Sequence, residues 1–374
     1  MDKKKLYERY QRQIILPEFG EEGQQKLLQA KVLVIGAGGL GCPVLQYLAA
    51  AGIGTIGIVD DDEVALNNLH RQVLYSANDI GLSKAEKAAQ ILGQLNPGIR
   101  IIPYNERLTV QNAFILFREF DTIIDGTDNF STRYMINDAC VLMNKPLVYG
   151  AISRFEGQVA VFNFMRNGND EAVNYRDLFP NPPREDEVLN CAEAGVLGPL
   201  AGIIGSMMAN ETIKLITGIG APLANQLLTF NALSNQVYQL ALSVRNETRS
   251  LIPENEVAFL QTDYEWLCSS ETKESEIDPY LFNNLIAKGN VDVIDVREPG
   301  EIPVVNDFSN IKIPLAKLSE NRSLIKSDTI IAFCQSGKRS LQAVKILSNI
   351  FGGDRKIYSL RGGIVQWKKL KQTI

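Results

Sequence analysis

Short apolar runs alternate with longer segments of helical periodicity through the first half of this chain. Runs at 31–36 (KVLVIG), 55–59 (TIGIV), 99–103 (IRIIP), 122–125 (TIID) and 146–149 (PLVY) predict buried strands. Between them, 40–51, 83–95, 111–120 and 131–143 space their apolar residues for helices. Strands apolar on both faces and separated by helices form a parallel sheet covered on both sides. From residue 158 the texture changes to alternating strands (QVAVFNF). A polar, proline-bearing stretch follows at 181–190 (NPPREDEVLN), then a long helix near 198–217 and two β-like runs at 226–230 and 236–242.

Periodicity is lost across SVRNETRSLIPENE and CSSETKESE, which predicts a linker at 246–276. A smaller α/β pattern then restarts. It has helices at 279–288 and 338–350, strands at 291–296, 329–333 and 356–359, and a last helix after Gly363. The expectation is an α/β chain of two domains: 1–245 with a Rossmann-like, mainly parallel sheet, and 277–374 as a small α/β unit, since about 100 residues suffice for an independent domain.

Composition narrows the function more than the fold. The 374 residues are 45% hydrophobic and 22% charged, as in an ordinary globular protein. A balance of 38 basic against 43 acidic side chains leaves −5, so the overall charge calls for neither nucleic acid nor an anionic membrane as partner. The start, MDKKKLYERYQRQ, has no apolar segment behind its lysines, and the longest apolar run, 194–209, is glycine-rich and shorter than a membrane span. A cytoplasmic protein with reduced thiols is expected. The five cysteines (42, 140, 191, 268 and 334) form no CxxC pair, and His70 is the single histidine. Neither a thiolate zinc site nor histidine-based catalysis therefore has its usual residues.

Candidate chemistry starts at Gly36-Ala-Gly38-Gly39-Leu40-Gly41. This GxGxxG turn follows a strand and opens a helix, and Asp60 ends the next strand at the distance where an acid binds a ribose. Glycines let the backbone approach a phosphate, and the helix N-terminus offers it free N–H groups. The turn by itself leaves NAD and ATP both open. Past Asp60, the segment DDDEVALNNLHRQ brings Asp62, Asn68, Arg71 and Gln72, with Lys84 beyond. Cations placed there suit a polyphosphate better than a nicotinamide.

With RYQRQIILPEFG at 9–20, GLSKAEKA at 81–88, DGTDNFSTRYMIND at 125–138 and NCAEAGVLGPLAGIIGS at 190–206, the chain resembles the MoeB/ThiF family of ATP-dependent activating enzymes. The resemblance implies ATP and Mg²⁺ as cofactors. It implies a reaction that adenylates the C-terminal glycine of a ubiquitin-like sulfur carrier ending in Gly-Gly. It also implies roles: Asp60 for the ribose, Asn68, Arg71 and Lys84 for the phosphates, and Asp128 for Mg²⁺ and the α-phosphate. Arg12 would reach the ATP of a partner subunit, hence a homodimer. A carboxylate with a pKa of about 3.5 is already ionised at pH 7 and attacks phosphorus without a general base. His70 is then expected in a packing or loop role. Many members carry two CxxC pairs that bind zinc, at positions matching 174–177 and the neighbourhood of 245–249; cysteines are missing from both here, and no structural zinc is expected.

Cys191 lies in NCAEAGV, where the resembling enzymes use a cysteine to transfer sulfur or to link to the carrier. Cys334 opens a second motif, Cys334-Gln335-Ser336-Gly337-Lys338-Arg339-Ser340, directly after a predicted strand. A strand–loop–helix led by a cysteine makes a cradle of N–H groups for a thiolate or persulfide, to which Arg339 adds charge. With DVREPGE at 295–301 and LRGGIVQW at 360–367, this part resembles the rhodanese family. The arginine five residues after the cysteine is one short of the cysteine-phosphatase spacing, which favours sulfur over phosphate. A sulfur donor such as a cysteine desulfurase is implied. Cys42 and Cys140 are expected in cores, and Cys268 in the linker. Two other readings stand beside this one: an NAD-dependent oxidoreductase, and a non-catalytic module that docks a ubiquitin-like partner.

Overall fold

Two sheets organise the chain, one in each of two compact units, Met1–Cys268 and Ser269–Ile374. The computed structural model describes residues 3–165, 171–182, 195–265, 275–352 and 355–371. Two helices not anticipated from the sequence, α1 (Lys3–Ile14) and α2 (Gly20–Gln29), precede the first strand. The first unit then runs β1 (Lys31–Ile35), α3 (Gly41–Ala51), β2 (Thr55–Val59), α4 (Lys84–Leu95), β3 (Arg100–Tyr104), α5 (Val110–Arg118), β4 (Thr122–Asp125) and α6 (Phe130–Leu142). It continues with β5 (Leu147–Ser153), β6 (Glu156–Phe162), α7 (Tyr175–Leu178), α8 (Gly198–Thr217), β7 (Gln226–Asn231), β8 (Gln236–Ala241) and α9 (Glu256–Gln261).

The strand order is β3-β2-β1-β4-β5-β6-β7-β8, parallel from β3 to β5 and antiparallel from β5 to β8. The near-continuous apolar strands have the predicted cause. Val32 and Val34 of β1 pack with α3, α4 and α8, whereas Leu33 and Ile35 face α5 and α6 on the other side, all of them buried. β8 is an outer strand with every residue exposed.

The second unit contains β9 (Glu276–Ile277), α10 (Pro279–Lys288), β10 (Val291–Asp295), β11 (Ile311–Lys312), β12 (Thr329–Phe333), α11 (Lys338–Phe351), β13 (Lys356–Leu360) and α12 (Gly363–Lys371). Its sheet, β11-β10-β12-β13-β9, is wholly parallel. Ile330 and Ala332 of β12 face one core with Ala343 and Leu347 of α11, and Ile331 and Phe333 face the other with Phe282 and Trp367. Both α/β patterns are as expected. Among the described residues no helix is long and apolar enough to cross a membrane.

The expected linker at 246–276 needs correction. Thr248, Phe259 and Tyr264 are buried in the first unit. The Phe259 ring lies 4.9 Å from that of Phe114 on α5, and the Tyr264 hydroxyl donates to Asp138 Oδ2 of α6 at 2.8 Å. A few aromatic anchors in a polar background hold this segment, too sparse to register as a period. Residues 266–274, with Cys268, lie outside the described residues.

Candidate functional site

The glycine turn joins β1 to α3 where the sheet order reverses: β2 follows on one side of β1 and β4 on the other. Such a switch point leaves a crevice at the strand C-termini, the usual place for a ligand in an open α/β sheet. Gly36 has φ +91, and a Cβ there would stand 2.8 Å from Gly126 O at the end of β4. The turn and the β4 exit are therefore in direct backbone contact. Cys42 N–H donates to Gly38 O, closing the first turn of α3. The glycine-rich start of α8 explains itself here, since a Cβ on Gly205 would come within 2.6 Å of Leu40 O.

Asp60 accepts from the Ala37 N–H at 2.7 Å and, with its other oxygen, from the Asp62 N–H at 2.9 Å, so the second strand's terminal acid is bonded to the glycine turn itself. Burial pushes its pKa up, against the pull of the Ala37 N–H and of Lys84. Lys84 is buried at the start of α4 and donates to Asp62 Oδ2 at 2.7 Å. It is not a solvated helix charge. The Tyr75 hydroxyl lies 2.9 Å from Ala37 O and 3.2 Å from Lys84 O, tying turn to helix. Arg71 donates to Asn67 O, and its side chain runs 3.5 Å from where a Cβ on Gly39 would stand. Gln72 is buried beside Gly38, with its Oε1 lacking a hydrogen-bond partner, while Asn68 is half-buried on the same loop. Arg12 lies exposed in the last turn of α1, and the hydrogen bonds around the turn do not include it.

Asp128, which the resemblance assigns to Mg²⁺ and the α-phosphate, does not lie in an apolar strand end. The buried acid ending β4 is Asp125; Asp128 is exposed three residues on, beside the turn. One exposed carboxylate suits Mg²⁺ shared with phosphate oxygens, because that ion keeps most of its other ligands as water. Zinc fits the other position badly. Asp177 of the NYRD segment accepts from Arg245 N–H at 3.0 Å and Thr248 Oγ at 2.6 Å, and from Asn174 N–H and Nδ2. Hydrogen bonds join the two segments, with no thiol or imidazole at either, and among the described residues no group of three or more His, Cys, Asp or Glu is placed to hold a metal.

In the second unit, Cys334 leaves β12 buried, 1% exposed. The Gly337 N–H donates to its Sγ at 3.1 Å, and Gly337 takes φ +99 to turn that N–H inward. Ser340 Oγ lies 3.7 Å from Sγ and 2.9 Å from Gly337 O, and Ser359 donates to Ser340 at 2.8 Å, a buried hydroxyl pair that sequence reading reached only at Ser340. The glycines of LRGGIVQW fit under the loop, with the Ile364 N–H bonded to Cys334 O. Gln335 is half-buried, Ser336 is exposed, and Lys338 starts α11. Arg339, expected to add charge to the thiol, forms a two-pronged pair with Glu301 at 2.5 and 2.7 Å and still interacts electrostatically with Cys334. That bond holds the Glu301 carboxyl down at about 2.

Cys42 and Cys140 are buried in the cores as expected, and burial pushes Cys42 up to about 12. His70 sits on an exposed loop with Nδ1 3.1 Å from Asn67 O. Cys191 lies outside the described residues.

A glycine turn with its acid and cations at a sheet switch point, in a chain that also carries a loop-cradled cysteine, defines a nucleotide-dependent transferase with a sulfur-handling appendage. The chain belongs to the ThiF family, whose model matches residues 10–251, and a rhodanese-like domain matches residues 278–370. It is 42% identical to the probable adenylyltransferase/sulfurtransferase MoeZ of Mycobacterium tuberculosis, over 97% of this chain and 93% of that protein. To the sulfur carrier protein adenylyltransferase of Thermus thermophilus it is 48% identical over 71% of this chain and 97% of that one. To the adenylyltransferase and sulfurtransferase MOCS3 of Xenopus laevis it is 37% identical over 96% and 85%. Among solved structures, Escherichia coli MccB with AMPCPP and MccA superposes with a TM-score of 0.53 at 22% identity, over 64% of this chain and 72% of that one, a likeness of fold.

Proposed function

We propose that this enzyme uses ATP to adenylate the C-terminal glycine of a ubiquitin-like sulfur carrier, then delivers sulfur to it from a persulfide on Cys334, giving a carrier thiocarboxylate. One observation carries the reading: a single chain joins a phosphate-binding turn flanked by Asp60, Arg71 and Lys84 to a buried cysteine whose sulfur receives a loop N–H.

The carrier's carboxylate, with a pKa of about 3.5, arrives ionised and attacks the α-phosphorus, and the bond to pyrophosphate breaks. Alignment and charge neutralisation are what the protein supplies. Asp60 accepts from the ribose hydroxyls. Free N–H groups at the start of α3 meet the phosphates. Arg71 and Lys84, with the amides of Asn68 and Gln72, take up charge on the departing pyrophosphate, for which Lys84 turns from Asp62. Asp128 would hold Mg²⁺, which supplies positive charge at the phosphate oxygens. Arg12 completes the site of a second protomer in a homodimer.

In the second half, the Cys334 thiolate takes the outer sulfur of a donor persulfide, such as that of a cysteine desulfurase, and the donor leaves as its thiol. The terminal sulfur then attacks the acyl carbon and AMP leaves; as a resolving thiol, Cys191 attacks the Cys334 sulfur of the acyl disulfide, the S–S bond breaks to release the thiocarboxylate, and an external thiol reduces the Cys191–Cys334 disulfide left behind. No structural zinc is needed, and a cytoplasmic setting keeps both thiols reduced.

A carrier-dependent ATP–pyrophosphate exchange assay tests the first half, and absence of exchange with every Gly-Gly-ending carrier of the same genome would sink it. Cys334→Ala is expected to abolish sulfur transfer and to leave exchange intact. Loss of both activities would overturn the division of labour. A nicotinamide reading finds no support in the named relatives, all adenylyltransferases, and a docking module would not need the intact cation set.

A further inference from the structure

Asp125 and Arg133 form a buried ion pair that the chemistry above does not use. Asp125 is 0% and Arg133 7% exposed, and Nε stands 3.4 Å from Oδ2, a Coulomb contact rather than a hydrogen bond. The guanidinium carbon lies 5.1 Å from the Tyr149 ring centroid, 5.6 Å from that of Phe130 and 6.0 Å from that of Tyr175. Burying two charges costs more than such a contact returns unless further bonds satisfy them. Here most of those bonds go to Thr127, and the Tyr175 side chain also meets the guanidinium. Asp125 Oδ1 accepts from both the N–H and the hydroxyl of Thr127, at 2.9 and 2.6 Å, and Arg133 Nη2 donates to Thr127 O at 2.9 Å. On the far side of Asp128, Asn129 caps α6 by accepting from Thr132 N–H at 2.9 Å. On the near side, the Gly126 N–H donates to Ile35 O at 2.9 Å, at the foot of the glycine turn.

We infer that Asp125 and Arg133 are positioning residues that act through Thr127 to hold Asp128 against the glycine turn, so that the two sides of the crevice meet the α-phosphate in fixed register. The inference rests on the role proposed for Asp128. Three anchors on Thr127 and a cap at Asn129 leave the backbone of an exposed residue fully determined from beneath. Lysine cannot replace this arginine, because a single ammonium does not reach Thr127 O and Asp125 in the fork geometry.

The experiment is a double-mutant cycle in the full-length enzyme, using pyrophosphate exchange, with the melting temperature and the affinity for ATP measured alongside. Arg133→Lys is expected to lower the maximal exchange rate by on the order of 10- to 100-fold, the usual effect of removing a partner that orients a site residue. The dissociation constant for ATP should change by less than about threefold, since Asp60 and the turn are untouched. In an Asp128→Asn background, Arg133→Lys should cost almost nothing further, because contacts acting through one residue are not additive. A full, additive loss in that background overturns the inference, as does a loss confined to ATP affinity. Should Arg133→Lys fail to fold, Thr127→Val, which removes only the hydroxyl bond, carries the same cycle with a smaller expected loss. If Asp128→Asn alone exchanges like the wild type, the role of Asp128 has failed instead, a distinct result.

Discussion

Asp60 and Glu301 sit in opposite electrostatic situations, and substitution should separate them. Asp60 is a carboxylate whose pKa burial raises, against the pull of two N–H groups and Lys84. Asp60→Asn sets an amide NH2 against one of the two N–H groups that Asp60 accepts from, so the melting temperature is expected to fall, while the KM for ATP rises about tenfold, near 1.4 kcal/mol of lost binding; steady-state exchange and calorimetry check both. Glu301 is held at about 2 by Arg339, against about 4.5 when unfolded. A depressed folded pKa gives stability that is complete above the unfolded value and lost as pH falls through the folded one. The second unit should therefore weaken between about pH 4.5 and 2, a loss that Glu301→Gln removes by lacking the titrating group. Melting curves across that range decide it. The motif residues were readable in the sequence because they fall in compact runs such as 60–72, even though the bonds from Ala37 to Asp60 and from Lys84 to Asp62 span 23 and 22 residues. The Glu301 partner of Arg339 was not legible because it lies 38 residues away, and the pairing of Asp125 with Arg133 went unnoticed because one ends a strand and the other lies inside a helix, with no local signal joining them.

At the scale of elements, the strands of both sheets were legible since burial on both faces leaves a continuous apolar run, whereas α9 was not, resting as it does on Phe259 and little else. The turn between β1 and α3 shows why its glycines are fixed. A Cβ on Gly41 would overlap Gly36 O, so Gly41→Ala must open the turn; ATP binding measured by calorimetry is expected to fall below detection, with a lower melting temperature. The link between Asn174–Asp177 and Arg245–Thr248 gives another expectation. Asp177 is 3% exposed and accepts four hydrogen bonds. Its loss strands several buried donors, so Asp177→Ala should destabilise the first unit by about 2–4 kcal/mol. A strong chelator should leave the wild-type melting curve unmoved, and a chelator-sensitive transition would count against a hydrogen-bonded link.

For the whole molecule, two units with separate sheets and cores predict two calorimetric transitions in the full chain, each reproduced when Met1–Cys268 or Ser269–Ile374 is expressed alone. The first fragment should keep exchange and the second sulfur transfer from thiosulfate. Strand order has a further consequence for how the protein is made. β1 lies between β2 and β4, so on the ribosome it has one neighbour until residue 125 emerges. At about 5–20 residues per second that interval lasts several seconds. Throughout it the nascent chain carries an unpaired apolar strand edge, and the crevice that receives the nucleotide does not yet have its second wall.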